Sequence, residues 1–348
     1  MKKIDTYIMR LFAAYFSAAL VGFLTMFVVV DISGRVGGFA RTGAFLKAFL
    51  LHYMEEIPLL LNLILPIVAV LSAIFVLLTL KRRNELVCLQ SSGVSIHRVL
   101  RPIIFAMAAI VPVFYLNSEL VIPAIAARRD PPGTGAVAAV VTGSHVGLAT
   151  ADSVDSRTGK ARDLNFMIIG RTSGVLEFAL FTTGAAWDAQ TRRWVFDPRD
   201  VIIGTGDRTS VDAAELPALI ARFDPLLFPS PARLAIASRP PSHLGLRDLA
   251  AIMPNRHAQI EAIHRLCFPW LIFLMLLAVV PFATGGDRQV PVFLGVGVGL
   301  GVVFLFYGVA FGAMFMGGKG LIGPWTAGLA PLLVFTIPAI LVYRKVRT

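Results

Sequence analysis

KRRNELVCLQSSGVSIHRVLRP, residues 81–102, is the stretch on which the fold turns. One long apolar segment precedes it (57–80) and another follows (103–116). Lys81, Arg82 and Arg83 open it; Arg98 and Arg101 close it. Lys and Arg beside membrane spans mark the cytoplasmic side. The pattern therefore predicts a short cytoplasmic helix, about 84–98, slung between two spans. Its residues are Leu86, Val87, Leu89 and Gln90, a break at Ser91-Ser92-Gly93, then Val94, Ile96, Val99 and Leu100. In a membrane protein such a helix is a surface that a soluble partner can grip.

Composition agrees with membrane embedding. Of the 348 residues 56% are hydrophobic and only 15% charged, where a soluble domain is nearer about 25% charged. The net charge of +11 is unevenly placed: residues 121–265 hold 16 Lys and Arg against 14 Asp and Glu, so the basic excess belongs to the rest of the chain. That distribution fits anionic headgroups and the positive-inside rule better than nucleic acid. The two cysteines, Cys88 and Cys267, give neither a disulfide framework nor metal spacing. The opening apolar run, residues 11–30, is long enough to span and is not followed by a small-residue cleavage site, so it reads as a span and not a signal peptide.

Taken in order, residues 4–10 read as a short interfacial helix with Tyr7 as an aromatic anchor. Span one is 11–30, and 31–47, with Arg35 and Arg41, reads as an outer segment. Residues 43–56 begin a helix running into span two, 57–80, which carries Pro58 and Pro66, either a simple kink or a mechanical element. Span three is 102–118. Between 124 and 247 apolar runs shorten and turn residues multiply, with Pro131-Pro132-Gly133 as a linker. Strand-forming runs fall at 137–141, 165–170, 175–182, 193–197 and 201–204, with a hairpin turn at 189–192 between Trp187 and Trp194. Their spacing predicts an antiparallel sandwich or barrel. Residues 207–241 read as irregular. Residues 242–265 read as helix interrupted at Pro254, followed by span four (266–284), an inside turn at 285–289, span five (290–316) and span six (325–343). The fold class is thus a polytopic α-helical membrane protein of six transmembrane helices with an inserted β domain. Its parts are 1–123, 124–247 and 248–348. Inside segments hold 12 Lys and Arg and short outside segments four, which places both termini in the cytoplasm.

Chemistry is nearly absent. There is no G-x-x-x-x-G-K-[ST] phosphate loop, and Gly317-Gly318-Lys319-Gly320 lacks both spacing and hydroxyl. The six histidines form no H-E-x-x-H, no G-x-S-x-G elbow occurs, and neither a cofactor nor a metal is expected. Intramembrane charges are few, so a proton relay has little to work with; if the protein moves something, the energy enters from a partner. Gly295, Gly297, Gly299, Gly301, Gly308 and Gly312 in span five form small-x-x-x-small pairs, read as helix packing or as a gate.

Several motifs in this order resemble the lipopolysaccharide-export permeases (LptF/LptG). They are Asp5-Thr6-Tyr7-Ile8-Met9-Arg10, with Thr6 where an Arg is more usual; the P-x7-P of Pro58 and Pro66; and Asn84-Glu85-Leu86-Val87 with Gln90-Ser91-Ser92-Gly93-Val94-Ser95. Asn117, Glu119 and Pro123, and Glu261-x-x-His264-Arg265-x-x-x-Pro269, complete the set. The resemblance implies a permease subunit without its own ATPase, in the bacterial inner membrane, working with a cytoplasmic ATPase dimer, a paralogous permease subunit, and single-span and periplasmic bridge proteins. The implied substrate is lipopolysaccharide, and the implied inserted domain is a periplasmic β-jellyroll. By resemblance Glu85, Leu86 and Gly93 couple to the ATPase, the alternative for Glu85 being a solvated charge. Arg35 and Arg41 contact substrate phosphates, the alternative being headgroup snorkelling. A permease for another lipid or lipoprotein, or a non-transport scaffold with an extracytoplasmic binding domain, would share the architecture.

Overall fold

A computed structural model of the chain describes residues 2–41, 44–129, 134–142, 145–155, 158–170, 173–191, 193–196, 201–204, 223, 228–237, 239–252, 255–284 and 292–344. It separates into two compact units, Met1–Val121 with Ile263–Thr348, and Ile122–Ala262. Among the described residues, six helical segments are long and apolar enough to cross a membrane: Lys3–Gly38, Phe45–Arg82, Ile96–Arg128, Arg256–Thr284, Gly295–Gly318 and Pro324–Leu341.

The first unit is helical. Helix α1 is Lys2–Arg41 and α2 is Phe45–Arg82. The short α3, Glu85–Ser91, leads through a turn to α4, Ile96–Leu116. After the inserted unit come α9 (Leu271–Thr284), α10 (Val292–Gly318) and α11 (Pro324–Tyr343). The interfacial helix, the span and the start of the outer segment expected over 4–41 are one helix of 40 residues. No proline interrupts it, and Arg35 pairs back to Asp31 one turn earlier, a spacing that supports a helix. At 1.5 Å per residue it is about 60 Å long, twice a hydrocarbon core of about 30 Å, so it must continue past the membrane. The helix expected over 84–98 divides at its Ser91-Ser92-Gly93 break into α3 and the first turn of α4. Gly93 sits between them at φ +82, in the left-handed region that glycine enters without a Cβ penalty.

The core of this unit gathers on α2. Val70, Ala73, Ile74, Leu77 and Leu80 pack with Ile8 and Phe12 of α1, Val99, Leu100, Ile103 and Met107 of α4, and Met275 and Val279 of α9. Two of the span-five glycines account for part of this. A Cβ on Gly295 would meet Leu78 at 2.9 Å, and one on Gly299 would strike the Ile74 side chain, while Gly297, Gly301, Gly308 and Gly312 have nothing within 4 Å. One small-x-x-x-small pair therefore seats α10 on α2. Pro58 and Pro66 both lie inside the continuous helix α2. Two carbonyls of this helix take side-chain donors from other helices: Asn117 Nδ2 donates to the Pro58 carbonyl at 2.7 Å and the Tyr307 hydroxyl donates to the Leu63 carbonyl.

The second unit begins with α5, Ile122–Arg129, reached through a π-helical turn at Asn117–Val121. Six strands follow: β1 Thr134–Thr142, β2 His145–Asp155, β3 Lys160–Gly170, β4 Leu176–Asp188, β5 Arg193–Phe196 and β6 Val201–Gly204. They form one antiparallel sheet in the order β1-β2-β3-β4-β5. Strand β4 is long enough to carry two partners on its far edge: Ala179–Thr182 pairs with β6 and Ala185–Asp188 with β5. Strand β2 has no counterpart among the sequence-predicted runs, because Gly, Ala, Asp and Ser dilute its β-branched content. The hairpin expected here pairs β4 with β5, Trp187 opposite Trp194 and Asp188 opposite Arg193. Asp188 closes it, accepting from the Thr191 hydroxyl at 2.6 Å and the Gln190 N–H at 2.9 Å; these bonds hold its carboxyl below the usual range. One sheet face packs Ala149, Leu164, Phe166, Phe178 and Leu180 against Leu234 of α6, Pro231–Ala237. Trp194 Nε1 donates to the Pro229 carbonyl at 3.0 Å. Helix α6 lies in the stretch expected to be irregular. Then come α7 (Leu246–Ala251) and α8 (Arg256–Cys267), which place a helix ten residues before the start expected for span four. Pro131-Pro132-Gly133, most of 207–241, Pro254 and the turn at 285–289 lie outside the described residues.

Candidate functional site

The residues singled out in the sequence fall at the two ends of the α1–α2 pair. At one end, α3 follows α2 through Arg83 and Asn84. Asn84 adopts φ 58, a left-handed conformation that Asn tolerates better than most residues, and this turn redirects the chain. Leu86 then drops into the unit core at 2% exposure, beside Ile8, Leu80 and Val99. Val87, Cys88, Gln90 and Ser91 face out. Burying one leucine in this way contributes about 1.5–3 kcal/mol, so α3 is a pinned helix with one open face.

Glu85 opens α3, where a carboxylate is favoured by the helix dipole. The Tyr7 hydroxyl donates to it, 2.9 Å from Oε2 and 3.2 Å from Oε1. Arg83 Nη1 donates to the same hydroxyl at 3.2 Å and lies 3.9 Å from Oε1. A second tie, Arg98 Nη2 to Asp5 Oδ2 at 2.8 Å, joins the start of α4 to α1. The Glu85 side chain stays 35% exposed. Tyr7, read in the sequence as an interfacial anchor, is the residue that holds Glu85. No local pattern flags a contact 78 positions apart.

At the other end Arg35 and Arg41 lie on α1 and not on a loop. Arg35 Nε donates to Asp31 Oδ1 at 2.9 Å, which leaves its terminal nitrogens on a side chain 52% exposed. Asp31 Oδ2 also accepts from the Tyr53 hydroxyl at 3.1 Å, and His52 Nε2 lies 3.1 Å away. This carboxylate, with its shell on α2, was not singled out in the sequence. The backbone of Arg41 closes α1, and its side chain lies outside the described residues.

A third polar cluster sits at the π-helical turn. Asn62 Nδ2 donates to Ser118 Oγ at 2.8 Å, Asn117 Nδ2 to Asn62 Oδ1 at 2.7 Å, and the buried Arg265 lies 3.5 Å from both Glu119 Oε1 and the Ser118 carbonyl. The paired motifs around Asn117–Glu119 and His264–Arg265, distant in sequence, thus meet. This is a structural joint, in which the side chains of Asn62, Asn117, Ser118, Glu119 and Arg265 meet one another. Among the described residues, no cluster of three His, Cys, Asp or Glu forms a metal centre.

Six apolar helical segments and an inserted antiparallel sheet define a polytopic helical membrane protein. Residues 6–131 and 151–345 match the family described as Lipopolysaccharide export system permease LptF/LptG, and the chain belongs to that family. Its members are permease subunits, so the protein is a multi-pass inner-membrane permease subunit. No curated protein matches the chain at a significant level.

Proposed function

We propose that the protein is one permease subunit of an ATP-driven exporter that takes lipopolysaccharide from the inner membrane and passes it to a periplasmic bridge. Both termini lie in the cytoplasm. The chain divides into spans at 1–123, a periplasmic jellyroll-like domain at 124–247 and spans at 248–348. It works beside a paralogous permease subunit, single-span and bridge proteins, and a cytoplasmic ATPase dimer that hydrolyses the ATP. The observation that carries this reading is α3, with Leu86 anchored in the unit core, Glu85 partly exposed at the N-terminus and an outer face of Val87, Cys88, Gln90 and Ser91. Gly93 supplies the left-handed turn that lets α3 end and α4 begin. A docked ATPase cation would complete the shell of Glu85, and movement of α3 would reach the spans through Leu86. Arg35, steadied by Asp31 with its terminal nitrogens free of that bond, is the group we assign to substrate phosphates, with Arg41 two turns further along α1.

The test is retention of the ATPase during purification, combined with lipopolysaccharide export by the reconstituted exporter. Glu85→Lys removes both, and a charge reversal on the ATPase partly restores them. Normal retention and export by Glu85→Lys would show the residue to be a solvated charge. Lipid extraction from the complex identifies the cargo, and a lipid other than lipopolysaccharide would redirect the substrate assignment.

A further inference from the structure

A cleft of about 370 Å³ opens between the first turns of α1 and α4, lined by Asp5, Met9, Arg10, Arg98, Arg101 and Phe105 among others. Both spans begin here, at Lys3 and Ile96, so the cleft lies at one membrane face. On α4, Arg98, Arg101, Pro102 and Phe105 stand at i, i+3, i+4 and i+7, a single stripe. Three arginines meet one acid in the cleft, and that acid is already bound to Arg98 at 2.8 Å. Arg10 and Arg101 are exposed and, among the described residues, pair with no acid. The stripe changes character with depth: Phe105, 68% exposed, lies about 10 Å along the axis from Arg98 at 1.5 Å per residue. The order is thus guanidinium at the surface and an uncovered aromatic ring below.

We propose that this cleft seats an anionic glycerophospholipid, its phosphate between Arg10 and Arg101 and its acyl chain along Pro102 and Phe105. Arginine offers phosphate two parallel N–H donors, and an anionic membrane surface supplies such headgroups at high local concentration. A soluble anion would gain the cations and leave Phe105 bare. A neutral lipid would cover Phe105 and leave two guanidinium groups unmatched. Only a ligand with both parts matches the depth order. The seat does not depend on the cargo assigned above.

The experiment uses the full chain, purified in neutral detergent and stripped of lipid, and titrated with phosphatidylglycerol in mixed micelles. Phosphatidylcholine and inorganic phosphate are run as separate arms. Phosphatidylglycerol binds saturably, and neither other probe displaces it. Arg10→Gln with Arg101→Gln weakens binding at least tenfold. Arg162→Gln with Arg193→Gln, which removes the same charge from the sheet unit, leaves it unchanged. The paired Lys variants keep the charge and lose the parallel donors, so they bind more weakly than the parent and more tightly than the Gln pair, and their deficit against the parent reports even where the Gln pair fails to fold. Phe105→Ser weakens phosphatidylglycerol binding several-fold. Equal binding by the Gln pair and the parent, displacement by inorganic phosphate, or an unchanged affinity in Phe105→Ser overturns the seat.

Discussion

Asp31 and Glu85 stand at opposite ends of the α1–α2 pair, and they are held differently. Asp31 meets three separate groups, Arg35, His52 and Tyr53, all at 2.9–3.1 Å, and its side chain is 19% exposed. Glu85 meets one phenol hydroxyl, its nearest cation stands 3.9 Å away, and it is 35% exposed. An ionised carboxylate has about four acceptor positions. Asp31 has filled most of its own, while Glu85 has not. The first is therefore saturated within the protein, and the second keeps acceptor positions open to solvent.

The widest test of this contrast asks whether the two ends lie on opposite faces of the membrane. In a Cys88→Ser background, Ser33→Cys, exposed near Asp31 on α1, should react with an impermeant maleimide in intact spheroplasts. Native Cys88, exposed on α3, should react only in inverted vesicles. Cys267, only partly exposed and within a span, should react slowly in both. Labelling of both reporters from one side sinks the orientation and the division of labour with it.

Next in size is the charge reversal at each end. A charge pair buried on docking costs about 2–5 kcal/mol when one member is lost, so Glu85→Lys should weaken ATPase association by roughly one and a half to three and a half decades while leaving the unfolding midpoint of the permease unchanged. Asp31→Ala should do the reverse. It leaves the buried Tyr53 hydroxyl only the longer bond to the Val28 carbonyl at 3.4 Å, a loss of about 0.5–1.5 kcal/mol, so the midpoint in detergent falls while ATPase retention stays normal. Equal loss of midpoint in both variants would erase the distinction between a built-in and a receptive carboxylate.

How much of this was legible in the sequence depends on the range of the interaction. The six spans, the strand-rich insertion and the hairpin between Trp187 and Trp194 follow from runs and turn residues read within a dozen positions. The end of span one was not, because Arg35, Arg41 and a cluster of glycines look like a loop. The helix continues through them: a glycine inside a helix costs only about 1 kcal/mol, and Asp31 with Arg35 restores part of that. Strand β2 escaped for the opposite reason, its small residues being chosen for a buried sheet face and not for propensity. The motif around Glu85 was readable, but its shell was not. Tyr7, like the Asp31–Tyr53 and Glu119–Arg265 contacts, joins residues far apart in sequence that only tertiary packing brings together.

The finest discrimination concerns Tyr7. Its hydroxyl donates to Glu85 and accepts from Arg83, so it sets where the carboxylate points before any partner arrives. Tyr7→Phe removes both bonds and little else. The pair is open to solvent, so the loss in stability should sit at the low end of about 0.5–1.5 kcal/mol, and ATPase affinity should fall only a few-fold. A bystander hydroxyl could produce the same small number, and a double-mutant cycle separates the two. If Tyr7 acts by aiming Glu85, then Tyr7→Phe has no further effect on ATPase affinity once Glu85 is alanine, and the two changes are strongly non-additive. If the losses simply add, Tyr7 steadies α1 on its own account. Glu85 would then be no more prearranged for its partner than any other surface acid.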